Sequence, residues 1–211
     1  MKTKTIITSV AAIATAAAIS SCGNPADSTA DAEVKDAVEK QTTTSAEGVR
    51  YVFAPESTIE FTGSKVTGKH DGGFKTFTGH FTIADGQPVG NDHSVSIDMT
   101  STWSDAEKLT GHLKSADFFD VEQFPTSTFD VTGVTKQDDG TYKVAGNFTF
   151  HGVTKNITFP ATVDQSEDKI TISSEFDINR SDFGVTYPGM KDDLIRDEVI
   201  IRLNLIATPE A

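Results

Sequence analysis

Apolar and polar residues alternate with a period of two along most of the chain after Val49. That spacing puts one side of a strand into a core and leaves the other in water. Ile59, Phe61 and Gly63 alternate with Thr58, Glu60, Thr62 and Ser64. Phe77, Gly79, Phe81 and Ile83 do so against Thr76, Thr78, His80 and Thr82. Similar runs cover Ser94–Met99, Phe129–Val131, Tyr142–Phe150, Asn156–Val163, Ile170–Ile178 and Val199–Leu205, and a shorter one lies near Tyr51. Residues tolerant of positive φ fall between them: Asp71-Gly72-Gly73, Asp85-Gly86, Asp139-Gly140 and His151-Gly152. The pattern predicts an all-β domain of about eight long strands joined mainly as hairpins. A sandwich and a closed up-and-down barrel both satisfy it, and only the barrel leaves no open edge.

One connection breaks the pattern. Ser104-Asp105-Ala106-Glu107 fits a capping box, and Ala106, Leu109, Leu113 and Ala116 follow near helical spacing. This predicts a helix at about 104–115 that caps an end of the domain or packs on its side. A second long connection runs from Asn179 to Glu198 and holds Arg180, Phe183, Tyr187 and Arg196.

The first 21 residues read as a secretory leader. Lys2 and Lys4 precede an apolar run from Ile6 to Ile19, which is too short to span a bilayer comfortably. Ile19-Ser20-Ser21 then leads to Cys22, the one cysteine of the chain. This arrangement resembles the bacterial lipobox and predicts a mature N-terminus at Cys22 carrying lipid. A lone cysteine excludes an internal disulfide and any dithiol chemistry. Gly23 and Asn24 follow without the Asp that marks inner-membrane retention in some bacteria, so a periplasm-facing lipoprotein, preferably of the outer membrane, is expected.

The chain holds 18 basic and 31 acidic residues, and two of the basic ones leave with the leader. So acidic a domain is repelled by phosphates, which argues against nucleic acid as a partner and against a basic membrane-binding face. Membrane contact is therefore expected through the anchor alone. Residues 22–48 are rich in Ala, Thr, Ser, Asp and Glu and carry no aromatic residue. Such a stretch reads as a flexible acidic tether, with room for a weak helical patch at Asp31–Lys40. Residues 49–208 then form one domain.

Three segments carry a family resemblance. They are Gly111-His112-Leu113-Lys114-Ser115-Ala116-Asp117-Phe118-Phe119 with Phe124-Pro125 and Phe129, then Gly146-Asn147-Phe148-Thr149-Phe150-His151-Gly152-Val153-Thr154-Lys155, and Ile178-Asn179-Arg180-Ser181-Asp182-Phe183-Gly184. In this order the chain resembles the YceI-like family over roughly Val49 to Ala207. The resemblance implies an extended, lipocalin-like antiparallel β-barrel. Its interior would bind a long apolar molecule such as a polyisoprenoid, a quinone or a fatty amide. Pro55-Glu56-Ser57-Thr58 stands where many members carry Asp-x-x-His-Ser, and Lys114 where Arg is common. Both departures bear on contacts to the polar end of a ligand.

Strand parity nominates lumen residues: Phe61, Phe77, Phe81, Ile97, Phe129, Val131, Phe148, Phe159, Ile172, Phe176 and Leu203. Inward Gly63, Gly79 and Gly146 would leave space beside them. Parity alone leaves open whether the barrel is hollow or filled by its own side chains, and the resemblance favours a hollow one. His112, Leu113, Phe118, Phe119, Arg180 and Phe183 are expected at the mouth or lid. Arg180 there suits a polar ligand head, or an ion pair with Asp182 or Asp177 that fixes the loop. His70, His80, His93, His112 and His151 show no metal-ligand spacing, and His151 is placed in a hairpin turn. Without GxSxG, a metal cluster or a usable thiol, the chain reads as a binding protein and not an enzyme, with no cofactor. An interaction protein with a packed barrel, or an enzyme acting on an isoprenoid lipid, are the alternatives. The oligomeric state is left open, a dimer included.

Overall fold

The computed structural model describes residues 23–39, 47–166 and 168–211. The leader and Cys22 lie outside the described residues. The elements are β1 (Ala30–Asp31), β2 (Glu33–Asp36), β3 (Val49–Phe53), β4 (Thr58–Lys65), β5 (Gly68–Phe74), β6 (Phe77–Ala84), β7 (Gln87–Pro88), β8 (Ser94–Asp98) and β9 (Thr102–Ser104). After these come α1 (Glu107–Lys114), β10 (Thr126–Lys136), β11 (Tyr142–Phe150), β12 (Val153–Gln165), β13 (Ile170–Asn179), β14 (Gly189–Met190) and β15 (Asp193–Pro209).

Eight antiparallel strands close a barrel in the order β13-β12-β11-β10-β8-β6-β3-β15, and β15 pairs back onto β13. The other edge of β15 is shared. Ala207–Pro209 pair with β3, whereas Ile195–Asn204 pair with β4, which continues into β5 and β9. The barrel is thus longer on the side where β4, β5 and α1 lie. Helix α1 is shorter than its sequence pattern predicts. Ser104 ends strand β9, and its hydroxyl donates to the Ala106 carbonyl at 2.8 Å. Ala106 occupies the N-cap without a side-chain cap, so no capping box forms.

Gly72 and Gly73 correct the turn reading. They sit within β5, because a Cβ at Gly72 would come within 2.5 Å of the Phe61 ring and one at Gly73 within 2.6 Å of the Ile59 carbonyl. Glycine here permits close packing and not a reversal. The other turns form as expected: Asp85-Gly86 and His151-Gly152 all have positive φ, as does Gly140.

Residues 24–38 of the segment expected to be a free tether are built into the wall. β12 and β13 pair only through Thr162–Gln165 and Ile170–Ser173, then separate. β1 runs parallel to β13 at Phe176–Asp177, and β2 antiparallel to β12 at Lys155–Thr158, so the N-terminal segment fills the opening. Ala32 and Val34 pack against the core, and Ala26 is buried in a 3-10 turn at Pro25–Ser28. The Thr29 hydroxyl donates to Asp177 at 2.6 Å, and Lys155 pairs with Asp36 at 3.0 Å. Composition misleads here because two orphaned strand edges supply the backbone partners that a polar segment lacks alone. For the same reason Asp31 and Glu33–Asp36 are strand and not helix. Burial raises the pKa of Asp177, against the Thr29 hydrogen bond.

Candidate lumenal site

Inward side chains enclose two apolar cavities end to end. The first, about 160 Å³, is lined at its core by Phe53, Phe81, Phe129, Phe159, Ile172 and Leu203, with Val131 alongside. It reaches Gly86 in the β6–β7 turn, Val134 near the end of β10 and Gln165 at the end of β12, all exposed, so the barrel opens at this end. The second, about 120 Å³, is lined by Phe61, Ile97, Met99, Phe148, Phe150 and Ile201 below α1. Leu113, Phe118, Phe119 and Arg180 close it, and no lining residue is exposed.

The predicted lumen residues therefore divide. Phe81, Phe129, Val131, Phe159, Ile172 and Leu203 line the open cavity, and Phe61, Ile97 and Phe148 the closed one. Two line neither. Phe176 is buried flat against Phe159 at 4.2 Å between centroids, and Phe77 packs edge-on to Phe53 at 6.5 Å. The inward glycines also divide. A Cβ at Gly79 would lie 2.2 Å from the Phe53 ring, and one at Gly146 2.3 Å from Phe129. These two seat phenyl rings instead of leaving space. Gly63 has nothing within 4 Å and does leave it.

The residues expected at the mouth belong to the closed end. His112 Nε2 pairs with Asp117 at 2.8 Å, and its ring packs edge-on against Phe118 and Tyr187. Phe183 is fully buried against Phe148. Arg180 is buried, donating from Nε to the Arg196 carbonyl at 3.1 Å and from Nη1 to the Val185 carbonyl at 2.8 Å, while Nη2 pairs with Asp197 at 2.9 Å. Its partner is neither Asp182 nor Asp177, and its donors hold the loop together. Helix α1 and the Arg180 loop thus plug the barrel.

Sequence reasoning missed Phe53, His93 and Tyr142. Val144, Ile170 and Leu205 share the parity of named neighbours and were legible. His93 was not. It lies after a strand-less loop, yet its Nδ1 accepts from the Thr82 N–H at 3.3 Å, extending the edge of β6. Accepting at Nδ1 puts the proton of the neutral ring on Nε2. Burial holds the His93 pKa below its ordinary value, opposed by nearby Asp92 and assisted by His80. Among the described residues, no group of three or more His, Cys, Asp or Glu could hold a metal ion.

The geometry defines an antiparallel β-barrel, plugged at one end, open at the other, with apolar space inside. The chain belongs to the YceI-like family, whose domain model matches residues 51–207. It is 36% identical over 124 residues to a UPF0312 protein of Pseudomonas putida F1, covering 56% of this chain and 65% of that one. It is 34% identical over 121 residues to Protein YceI of Salmonella arizonae, covering 54% and 63%. The match spans just under two thirds of these relatives' length. Among solved structures, Burkholderia cenocepacia BcnA superposes with a TM-score of 0.64 at 24% identity, covering 72% of this chain and 97% of that one. A polyisoprenoid binding domain from Saccharophagus degradans, implicated in plant cell wall breakdown, gives 0.63 at 16%, covering 78% and all of that chain. These likenesses support the barrel fold.

Proposed function

We propose that this protein binds a long apolar molecule of the polyisoprenoid, quinone or fatty-amide type inside the barrel, as a carrier or store in the cell envelope. The observation that carries this reading is the paired apolar cavities on one axis, with space retained beside Gly63 and an opening at one end. A purely structural core packs to near-crystal density and leaves no such space. The neighbour described as a polyisoprenoid binding domain supports the ligand class. Each buried CH₂ contributes roughly 0.8 kcal/mol, so a chain binds without a charged contact.

The same proposal places the protein in the envelope through lipid on Cys22. Only Gly23 separates that cysteine from the docked segment that begins at Asn24. The barrel would then sit directly at the membrane, close to a reservoir of apolar ligand. Protein purified as a Cys22→Ser variant and extracted with organic solvent should yield a stoichiometric apolar compound by mass spectrometry. Empty protein that also fails to take up a C20 prenyl alcohol would refute the binding function. The variant should leave the membrane fraction for the soluble one, and its retention there would refute the anchor.

A further inference from the structure

We infer that the open end admits an uncharged ligand head and discriminates against anionic ones, a selectivity that rests on the lipid-binding reading above. Among the described residues lining the open cavity there is no Lys, Arg, Asp or Glu. The polar liners are His80, His93, Ser94, Tyr142 and Gln165. They offer hydroxyl, amide and imidazole groups, which hydrogen-bond a hydroxyl, carbonyl or carboxamide without a counter-ion. An anionic head brought to the apolar wall loses hydration with no cation to replace it.

The surrounding turns add a second, independent barrier. The β6–β7 turn carries Asp85, the β10–β11 turn Asp138 and Asp139, and the β12–β13 turn Asp168, with Asp164 at the end of β12. All five are exposed. Against them stand Lys136, which lies over the Tyr142 ring at 5.8 Å, Lys143 and Lys169, while Arg50 on β3 is matched by two further carboxylates, Asp92 at 3.8 Å and Glu210 at 2.8 Å. Asp139 accepts from Thr141 N–H and hydroxyl at 2.9 and 2.6 Å, which lowers its pKa and keeps it ionised. The field at the opening is therefore negative, and it repels phosphate and carboxylate groups on approach.

The closed end offers an anionic head no alternative. The Arg180 donors are held by the Val185 and Arg196 carbonyls and by Asp197, and the Ser127 hydroxyl donates to the Thr149 carbonyl at 2.7 Å. A bound chain consequently points its tail toward α1 and its head toward the turns.

The test compares chain-matched pairs by competition against a fluorescent fatty-chain probe at neutral pH. The pairs are a C20 prenyl alcohol with its pyrophosphate, and a C18 fatty amide with its carboxylate. Each neutral member should bind at least about tenfold more tightly than its anionic partner. Equal or tighter binding of the anionic members overturns the proposal and leaves lipid binding intact. No binding of any member refutes the lipid-binding reading itself. A variant combining Asp138→Asn, Asp139→Asn, Asp164→Asn and Asp168→Asn should narrow the ratio several-fold, as should high salt. A ratio unmoved by both would refute the part assigned to the acidic turns.

Discussion

The Asn147 carboxamide pairs with both backbone groups of Val38, accepting from its N–H at 3.0 Å and donating to its carbonyl at 2.6 Å. Oδ1 also accepts from Asn156 Nδ2 at 3.1 Å. A side chain in the second family segment thereby continues the ladder that holds the N-terminal segment in the gap between β12 and β13. Replacing Asn147 by Ala should cost about 1 kcal/mol, because two hydrogen bonds to Val38 are lost while the exposed Val38 backbone can rehydrate. Hydrogen exchange should accelerate over residues 30–38 while β11 and β15 stay protected. Unchanged protection there would show that the strand ladders alone secure the segment.

The glycines supply a paired test of lumen packing. Gly146→Ala drives a methyl into the Phe129 ring, and overpacking of this kind costs about 1–3 kcal/mol. Gly63→Ala meets open space and should change stability by less than about 1 kcal/mol. Thermal unfolding of the two variants separates a ring-filled position from a hollow one. Equal losses would contradict the geometry.

Arg180 is assigned to loop architecture. Arg180→Lys cannot hold two carbonyls and Asp197 at once, so a loss of about 2–3 kcal/mol is expected from the abandoned acceptors. Asp197 is half exposed and rehydrates, so the ion pair itself adds little. Denaturant unfolding should register the loss, while the affinity for a prenyl alcohol changes less than twofold. Selective loss of ligand binding would place Arg180 at a ligand head instead.

His93 ties stability to pH. Burial depresses its folded pKa below the ordinary value of 6.5, so below that value the unfolded chain binds the proton more readily. Its stabilising contribution is complete above pH 6.5 and declines as the pH falls toward the folded value. His93→Asn, whose Oδ1 offers the Thr82 N–H an acceptor, should flatten the slope of melting temperature against pH below 6.5. An identical slope in the variant would assign the dependence to other groups.

Several of these features were legible in the residues and several were not. The inward parity of Phe61, Phe129, Phe148 and Phe159 follows from strand geometry, and all four reach a cavity. Phe176 obeys the same parity but misses both cavities, because stacking on Phe159 is set by a neighbouring strand. Arg180 was legible as either a group for a ligand head or a loop-fixing cation, but its expected partners, Asp182 and Asp177, were the acidic residues nearest in sequence. Its partners, Val185, Arg196 and Asp197, arrive from the following loop and from the start of β15.

Alternation with period two, the turns at Asp85-Gly86, Asp139-Gly140 and His151-Gly152, and the presence of a helix after Ala106 are properties of short stretches, and the sequence by itself determined them. The tertiary structure alone decided that residues 24–38 complete the wall and that the end below α1 is closed. It also decided which inward glycines hold space. The reason is physical: local periodicity selects which face of a strand is apolar, whereas pairing and filling depend on what the rest of the chain brings alongside. Val38 and Asn147 are far apart in sequence, and no local signal in the polar stretch around Val38 announces the two strand edges that it joins.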